Sequence, residues 1–414
     1  MQISAILIAT FGATGSASDI IFASSKGDAN MMEPASPTTH RLIYIDNLRW
    51  SAISMVVVMH AAVTYSPFGS WYYREHPPLG LVTKVAFAAY QSFQHAVSMG
   101  LLFGIAGYFA AGIVARRGVV GFIRERLYRL GIPLLLYIGL IGPLTEYYVA
   151  GSWWSQPHRC FAEDWLHHLS NGQLLDGSGP LWFCLVLLLF SCCFALFCCF
   201  RQIGQPSIRS VPGLAPVLGF VIVMSTVTFA VGLLAPEGLT ILNIDIHDAP
   251  QYPFMFAAGV AAWRGDWLRQ ISSGAGRRWL VGGLLASIAL WAAIVVFGGA
   301  LEGRLADYGG GWHWQAAGMD FWRSATCASL SLGLVVLYRD LFDYQGRVTR
   351  FLSRNAFGVY VLHAPVLIAV TRVMHDWTIA PQWKFLMASL VGVVASFLVV
   401  GLLARRVPGL RAIL

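Results

Sequence analysis

Arg41-Leu-Ile-Tyr-Ile-Asp46-Asn47-Leu48-Arg49-Trp50, then Ser-Ala-Ile-Ser-Met-Val-Val-Val-Met and His60, is the stretch on which the reading of this chain turns. Its charges lie in the first nine positions, and an apolar run follows. A helix that crosses a bilayer needs about 20 mostly apolar residues. This stretch therefore enters a membrane with its charged end at one surface and carries an imidazole inward. Eleven steps of ~100° make about three turns, so Arg49 and His60 share one helix face, and a rise of ~1.5 Å per residue separates them by roughly 16 Å.

The rest of the chain fits that reading. It has 414 residues, 57% hydrophobic and 12% charged, with a mean hydropathy of +0.63. Length alone suggests two or three soluble domains, but soluble proteins carry roughly 25% charged residues. A disordered chain, a coiled coil and a secreted disulfide scaffold are excluded on the same grounds. The balance of 28 Lys+Arg against 20 Asp+Glu, net +8, bears on membrane sidedness rather than on nucleic acid, for which no role is expected. Of seven cysteines, five lie in one apolar segment (Cys184, Cys192, Cys193, Cys198, Cys199) and Cys327 in another, where a thiol behaves as a small hydrophobe. Cys160 stands in a polar loop, and none has metal-ligand spacing with histidine.

About ten spans are expected, centred near Val57, Phe103, Tyr137, Leu188, Val223, Phe256, Leu290, Leu332, Leu362 and Val393; the one after Pro250 is short. The fold class is an all-α polytopic transmembrane helical bundle. Residues 1–40 read as an N-terminal extension, cytoplasmic or preceding a true start at Met31 or Met32, because the apolar opening lacks a basic n-region. Residues 41–406 form the membrane domain, and 407–414 a short cytoplasmic tail. One set of loops, with both termini, holds 21 Lys+Arg and 8 acids, whereas the alternate loops hold 7 and 12. Basic loops stay in the cytoplasm, which puts both termini on the cytoplasmic side; the inner (plasma) membrane is the expected location.

Ionisable groups at membrane depth are costly and mark candidate sites. An imidazole at His60 suits proton transfer near neutral pH; an interhelical hydrogen bond is the alternative. In Arg124-Glu-Arg126-Leu-Tyr-Arg129-Leu-Gly-Ile-Pro133, Arg126 and Arg129 are helical neighbours. Two guanidinium forks side by side suit a phosphate or pyrophosphate, although juxtamembrane arginines also set topology or meet lipid headgroups. In Arg354-Asn355-Ala-Phe-Gly-Val-Tyr360-Val-Leu-His363-Ala-Pro365, Tyr360 and His363 share a face ~13 Å or less beyond Arg354. His363 thus reaches the depth of His60, as a second polar group of a site or in a structural bond to backbone freed by Pro365. Glu146, Gln94 and His95 fall toward the outer span ends, where an acceptor could enter. Trp153, Trp154, Trp312 and Trp314 suit sugar stacking or interfacial anchoring. Asp46 is placed to pair with Arg49.

At these residues the chain resembles the membrane-bound acyltransferase family 3. The family's first-span signature, a basic residue and a histidine with ten residues between, corresponds to Arg49 and His60 after Asp46-Asn-Leu-Arg49. Its Arg-x-x-Arg corresponds to Arg126 and Arg129. Its second-span pattern appears as Met99-Gly-Leu-Leu-Phe-Gly-Ile-Ala-Gly107-Tyr108-Phe109, with Gly100 where a bend-forming proline is usual. Gly179-Pro180-Leu181-Trp182-Phe183 is similar to the start of the family's fourth span, and Val359-Tyr360-Val361-Leu362-His363 to its late Tyr-x-x-His. The match runs over roughly residues 41–404. The Ala-Gly-Tyr variant resembles the branch containing the glucan biosynthesis C protein, which succinylates periplasmic glucans.

The resemblance implies an O-acyltransferase that moves an acetyl, succinyl or similar group from acyl-CoA to a hydroxyl of a glycan or other envelope or secreted acceptor. It implies donor binding by Arg49, Arg126 and Arg129, and a role for His60 as general base or transient acyl carrier. His363 and Tyr360 would orient His60 or the reacting carbonyl. Acyl-CoA is then a donor substrate, with no permanently bound cofactor expected; membrane lipids are the remaining partners. An exporter of an acylated glycan or lipid with gating histidines, and a structural subunit of an envelope-polysaccharide complex, are the competing classes. The absence of a visible internal repeat weighs against the exporter.

Overall fold

The computed structural model describes residues 41–75, 77–150, 160–170, 174–201 and 204–403, with 406, 407 and 409. The expected N-terminal extension, most of the expected tail, and Trp153 and Trp154 lie outside the described residues. Among the described residues, eight helices are long and apolar enough to cross a membrane. They are α1 (Ile43–Tyr65), α2 (Leu81–Ala150), α4 (Trp182–Phe200), α5 (Leu214–Gly232), α8 (Ser273–Phe297), α9 (Trp314–Leu341), α10 (Arg347–Val373) and α11 (Pro381–Leu398). The shorter α-helices among the described residues include α3 (Phe161–Ser170), α6 (Gln251–Arg264) and α7 (Trp267–Gln270). Among the described residues the sheet content is one pair of two-residue strands, β1 (Thr240–Ile241) and β2 (Ile244–Asp245), antiparallel with Thr240 opposite Asp245. The chain is an all-α polytopic helical bundle.

Two of the expected spans fuse into α2, which is 70 residues long. Gly118 divides it: its φ of +69° is non-helical and suits a residue without a Cβ. The chain reverses there. On the first arm Phe103 packs on Phe183 and Phe190 of α4, with ring centroids 4.5 and 5.4 Å away; on the second arm Phe122 meets Phe194, further along α4. Tyr137 then lies back at the start of α4, beside Gly179. The second arm is not a uniform α-helix. Three π-helical stretches, Leu127–Gly131, Tyr137–Ile141 and Thr145–Ala150, alternate with short α-turns. Pro133 and Pro143 each remove a backbone donor from this arm, and the wide turns flank both. Gly100 leaves no bend, since α2 is helical through it.

The segment after Pro250 is α6, 14 residues long, or about 21 Å at ~1.5 Å per residue. It nevertheless joins the two ends of the bundle, because it runs parallel to the first arm of α2. Gln251 bonds the carbonyl of Ala96, and Trp263 lies against Gly112. Small residues permit this: a Cβ at Gly107 would strike the Phe256 carbonyl, and one at Gly259 the Gly104 carbonyl. Such close backbone approach is how helices associate where lipid removes the hydrophobic drive. Helices α5 and α8 lie at the periphery, with 28% and 17% of their apolar windows buried against 72% for α2.

One end of the bundle carries Arg49, Arg126, Arg129 and Arg354; it is called the basic end below. There Asn47, 2% exposed, donates from Nδ2 to the backbone carbonyls of Phe342 (2.6 Å) and Tyr344 (2.9 Å) in the α9–α10 connection. Its Oδ1 accepts from Trp50 Nε1 at 3.1 Å. These bonds set α1 and α10 side by side and parallel. Asn47→Ala is expected to lose both hydrogen bonds to these carbonyls, at a cost of about 1–3 kcal/mol, read as a lower unfolding midpoint of detergent-purified protein. Gly259→Ala is expected to cost about 1–3 kcal/mol by overpacking α6 against α2 in the same measurement, whereas Gly219→Ala, with open space around it, should not destabilise the protein.

Candidate active site

Thirteen residues past Asn47 on α1, and sixteen past the start of α10, His60 and His363 meet. Their rings stack with centroids 5.3 Å apart and 20° between planes. A third ring, Trp71, lies 3.7 Å from His60 at 15°, and 6.1 Å from His363 at 14°. His363 is fully buried and His60 half-buried. Nδ1 of His363 donates to the carbonyl of Tyr360 at 2.8 Å. That bond fixes the tautomer and leaves Nε2 as an acceptor, and the carbonyl is the one three residues back along the helix. Nε2 of His363, Nδ1 of His60 and Nε1 of Trp71 are all buried without a hydrogen-bond partner. Each such group costs about 1–3 kcal/mol, so three on adjoining rings mark a place suited to a polar reactant.

Trp71 belongs to a strap, residues 66–75, that closes over His60 at the end opposite the arginines. Several side chains pin it. Gln91 on α2 donates to Ser66 Oγ at 2.6 Å, and Arg74 reaches the Ser66 carbonyl at 3.3 Å. Tyr72 and Tyr137 hydroxyls are 3.2 Å apart. Glu75 and Lys384, whose side chains are 8% and 7% exposed, pair at 2.9 Å, and Lys384 also bonds the His375 carbonyl. The Tyr73 hydroxyl lies 2.6 Å from Nδ1 of His375, with the Arg372 guanidinium 4.5 Å from the Tyr73 ring centre. Burial, then the Glu75 carboxylate, pushes the Tyr73 phenol up to about 12, so it stays protonated as the donor of that bond. Nothing in the sequence reading singled out Trp71, although Phe68, Trp71, Tyr72 and Tyr73 directly after the histidine helix are a visible aromatic cluster.

Tyr360 sits beside His363, ring centroids 6.1 Å apart, but its hydroxyl donates to the Pro180 carbonyl. Gly179, with φ +48°, interrupts the turn before α4, so that carbonyl is available to a side chain. The hydroxyl is therefore committed to holding α4, and the backbone carbonyl is the group that reaches His363.

At the basic end Arg49, Arg126 and Arg129 lie within electrostatic range of one another. Arg129 is 3.6 Å from Glu125, which also binds Arg117 at 2.7 Å. Asp46 pairs closely with Arg41 (2.6 Å) and more loosely with Arg49 (3.7 Å). Arg126 lies over the Phe122 ring at 5.2 Å, its Nε buried and unpartnered. The two forks of the Arg-x-x-Arg motif straddle the change from α- to π-helix after Arg126 rather than sharing one regular helix face. Arg354 is exposed.

The other sequence candidates lie apart from this site. Glu146 is exposed in the last π-helical stretch, and Trp312 and Trp314 are exposed in and after the α8–α9 connection. Gln94 has a buried, unpartnered Nε2, and His95 binds Asp248.

A family model described as an acyltransferase domain matches residues 42–405, which takes in both histidines, Trp71 and the arginine cluster. No curated protein and no solved structure matches. The chain belongs to the acyltransferase 3 family and is a membrane acyltransferase that transfers groups other than aminoacyl groups.

Proposed function

We propose that the protein takes the acyl group of a cytoplasmic acyl-CoA and passes it to a hydroxyl of a glycan or other envelope or secreted acceptor, with His60 as the general base. The observation that carries this is the set of unpartnered ring nitrogens at His60 and His363, about 16 Å along α1 from Arg49. In this reading Arg49, Arg126 and Arg129 hold the donor's phosphates through charge-assisted bonds, and the donor's long arm brings its thioester to the stacked rings. His60 accepts the acceptor's hydroxyl proton as the oxygen attacks the thioester carbonyl. The carbon–sulfur bond breaks, and the departing thiolate takes the proton back. His363, its tautomer fixed by the Tyr360 carbonyl, keeps the His60 ring in plane by stacking. A transient acyl-imidazole on His60 is the same assignment carried out in two steps.

The loop-charge asymmetry supports placing the basic end in the cytoplasm and the protein in the inner membrane. Resemblance to the glucan-modifying branch supports a glycan acceptor, with acetyl and succinyl as the first groups to test. The test is purified protein with labelled acetyl- or succinyl-CoA and a candidate acceptor. His60→Ala is expected to lower transfer at least ~100-fold, the lower bound for a lost general base, while the protein stays folded; unchanged turnover would remove the assignment. Arg126→Ala is expected to raise the apparent donor KM by about tenfold, equivalent to a charge-assisted contact of ~1.5 kcal/mol, while leaving acceptor KM in place. A change confined to acceptor KM would put the arginines in the wrong role.

A further inference from the structure

A cluster of ionisable groups outside the stacked rings lies toward the other end of the bundle, where α2, the connection 233–250 and α9 meet. Asp248 is its hub. One carboxylate oxygen lies 2.5 Å from Nε2 of His95 on α2, and the other pairs with Arg323 on α9. One turn before Arg323, Asp320 holds Nε2 of His247 at 3.0 Å. Asp248, Asp320 and His247 are buried, and Nδ1 of His247 has no partner. His95 differs from this frame, with 39% of its side chain open. A fixed carboxylate on Nε2–H leaves Nδ1 as a hydrogen-bond acceptor, so the frame presents one open imidazole in one tautomer.

Depth and direction relate that imidazole to His60. The Gln91–Ser66 bond ties α2 to the end of α1. Counted from it at ~1.5 Å per residue, His60 lies about 9 Å and His95 about 6 Å inward along antiparallel helices. Around α2, at ~100° per residue, His95 falls between Gln91, which faces α1, and Phe103; Phe103 faces α4 and α6. His95 is thus on the interior side of α2, level with His60. Charge narrows what it can receive. Glu237 and Asp245 act electrostatically on both Arg323 and His95, so the cluster, with Asp248 and Asp320, holds four carboxylates and one guanidinium.

We infer that His95 is an acceptor-binding residue, positioned by Asp248 and Arg323, which takes a hydrogen bond from a hydroxyl of an uncharged polyhydroxylated acceptor on its way to His60, and that the surrounding carboxylates reject anionic acceptors. This rests on the transfer reaction proposed above and adds the residue and the charge class that select the acceptor.

The test uses the purified full-length chain. Neutral maltohexaose, laminarihexaose and cellohexaose, each beside its uronate-oxidised form, are titrated by calorimetry without donor, and initial rates are measured with labelled acetyl- and succinyl-CoA. At least one neutral oligosaccharide is expected to bind more tightly than its uronate form. His95→Phe should weaken that binding and raise acceptor KM roughly five- to tenfold, the loss of one hydrogen bond, with donor KM unchanged. His95→Gln, which can still donate to Asp248 and accept from a hydroxyl, should recover part of the loss; it also serves as the folded comparison if His95→Phe is unstable. Binding equal in wild type and His95→Gln together with equal KM in His95→Phe, uronates bound as tightly as neutral sugars, or no neutral sugar bound by wild type would overturn the inference. Failure of the acyl-CoA reading shows separately, as no labelled product from wild type, while the donor-free titrations still decide the role of His95.

Discussion

Asn47 spends its whole amide on backbone and indole partners at the basic end, and the geometry around His60 depends on that. A side-chain amide donating to two carbonyls nearly three hundred residues away holds the start of α1 against the start of α10. Because both helices leave that point in the same direction, groups at matching heights must face each other. Two imidazoles with 302 residues between them therefore stack without any bond between the rings to draw them together. Hydrophobic contact alone would permit helices to slide by a turn, since lipid-facing and partner-facing apolar side chains are energetically alike within a bilayer. Directional bonds at one end remove that freedom.

The bundle then separates its chemistry along its length. Guanidinium groups gather at one end, with Glu125 and Asp46 close enough to temper their mutual repulsion but too few to neutralise it. Carboxylates and histidines collect toward the other end around Asp248. Between them lie the stacked rings, closed on the side away from the arginines by Trp71. The strap is pinned to α2, α10 and α11 by polar and cation–ring contacts that are buried or part-buried. Such contacts are worth more in a low-dielectric surrounding than at a wet surface, and they hold the indole against His60 while leaving its Nε1 unused.

Much of this was legible in the amino-acid order, and what was not has a common cause. Apolar runs of helical length showed the spans, because the bilayer imposes length and composition on them directly. The shared depth of His60 and His363 followed from counting residues from basic surface positions. The partner of Asn47, the seat of Trp71 and the Tyr360–Pro180 bond were not legible, since each joins segments far apart in the chain and no local pattern encodes a long-range contact. Tyr360 looked like a group aimed at the reaction; its hydroxyl is instead turned to a carbonyl released by the Gly179-Pro180 break. Fusion of two spans into one helix reversing at Gly118 was also hidden, because hydropathy reports where apolar segments lie and not whether helical bonding continues between them.

The π-helical stretches of the second arm of α2 hold more chain per turn than an α-helix does. Each wide turn behaves as slack, a residue stored in the backbone without lengthening the arm by a full step. Shortening this arm by one residue within such a turn lets it tighten to ordinary winding, so that Tyr137, at the far side of the first of them, keeps its place beside Tyr72. Evolutionary drift in length can thus be absorbed between Arg129 and the strap, whereas α1, which has no such reserve between Asn47 and His60, cannot lose a residue without turning its histidine to a different neighbour.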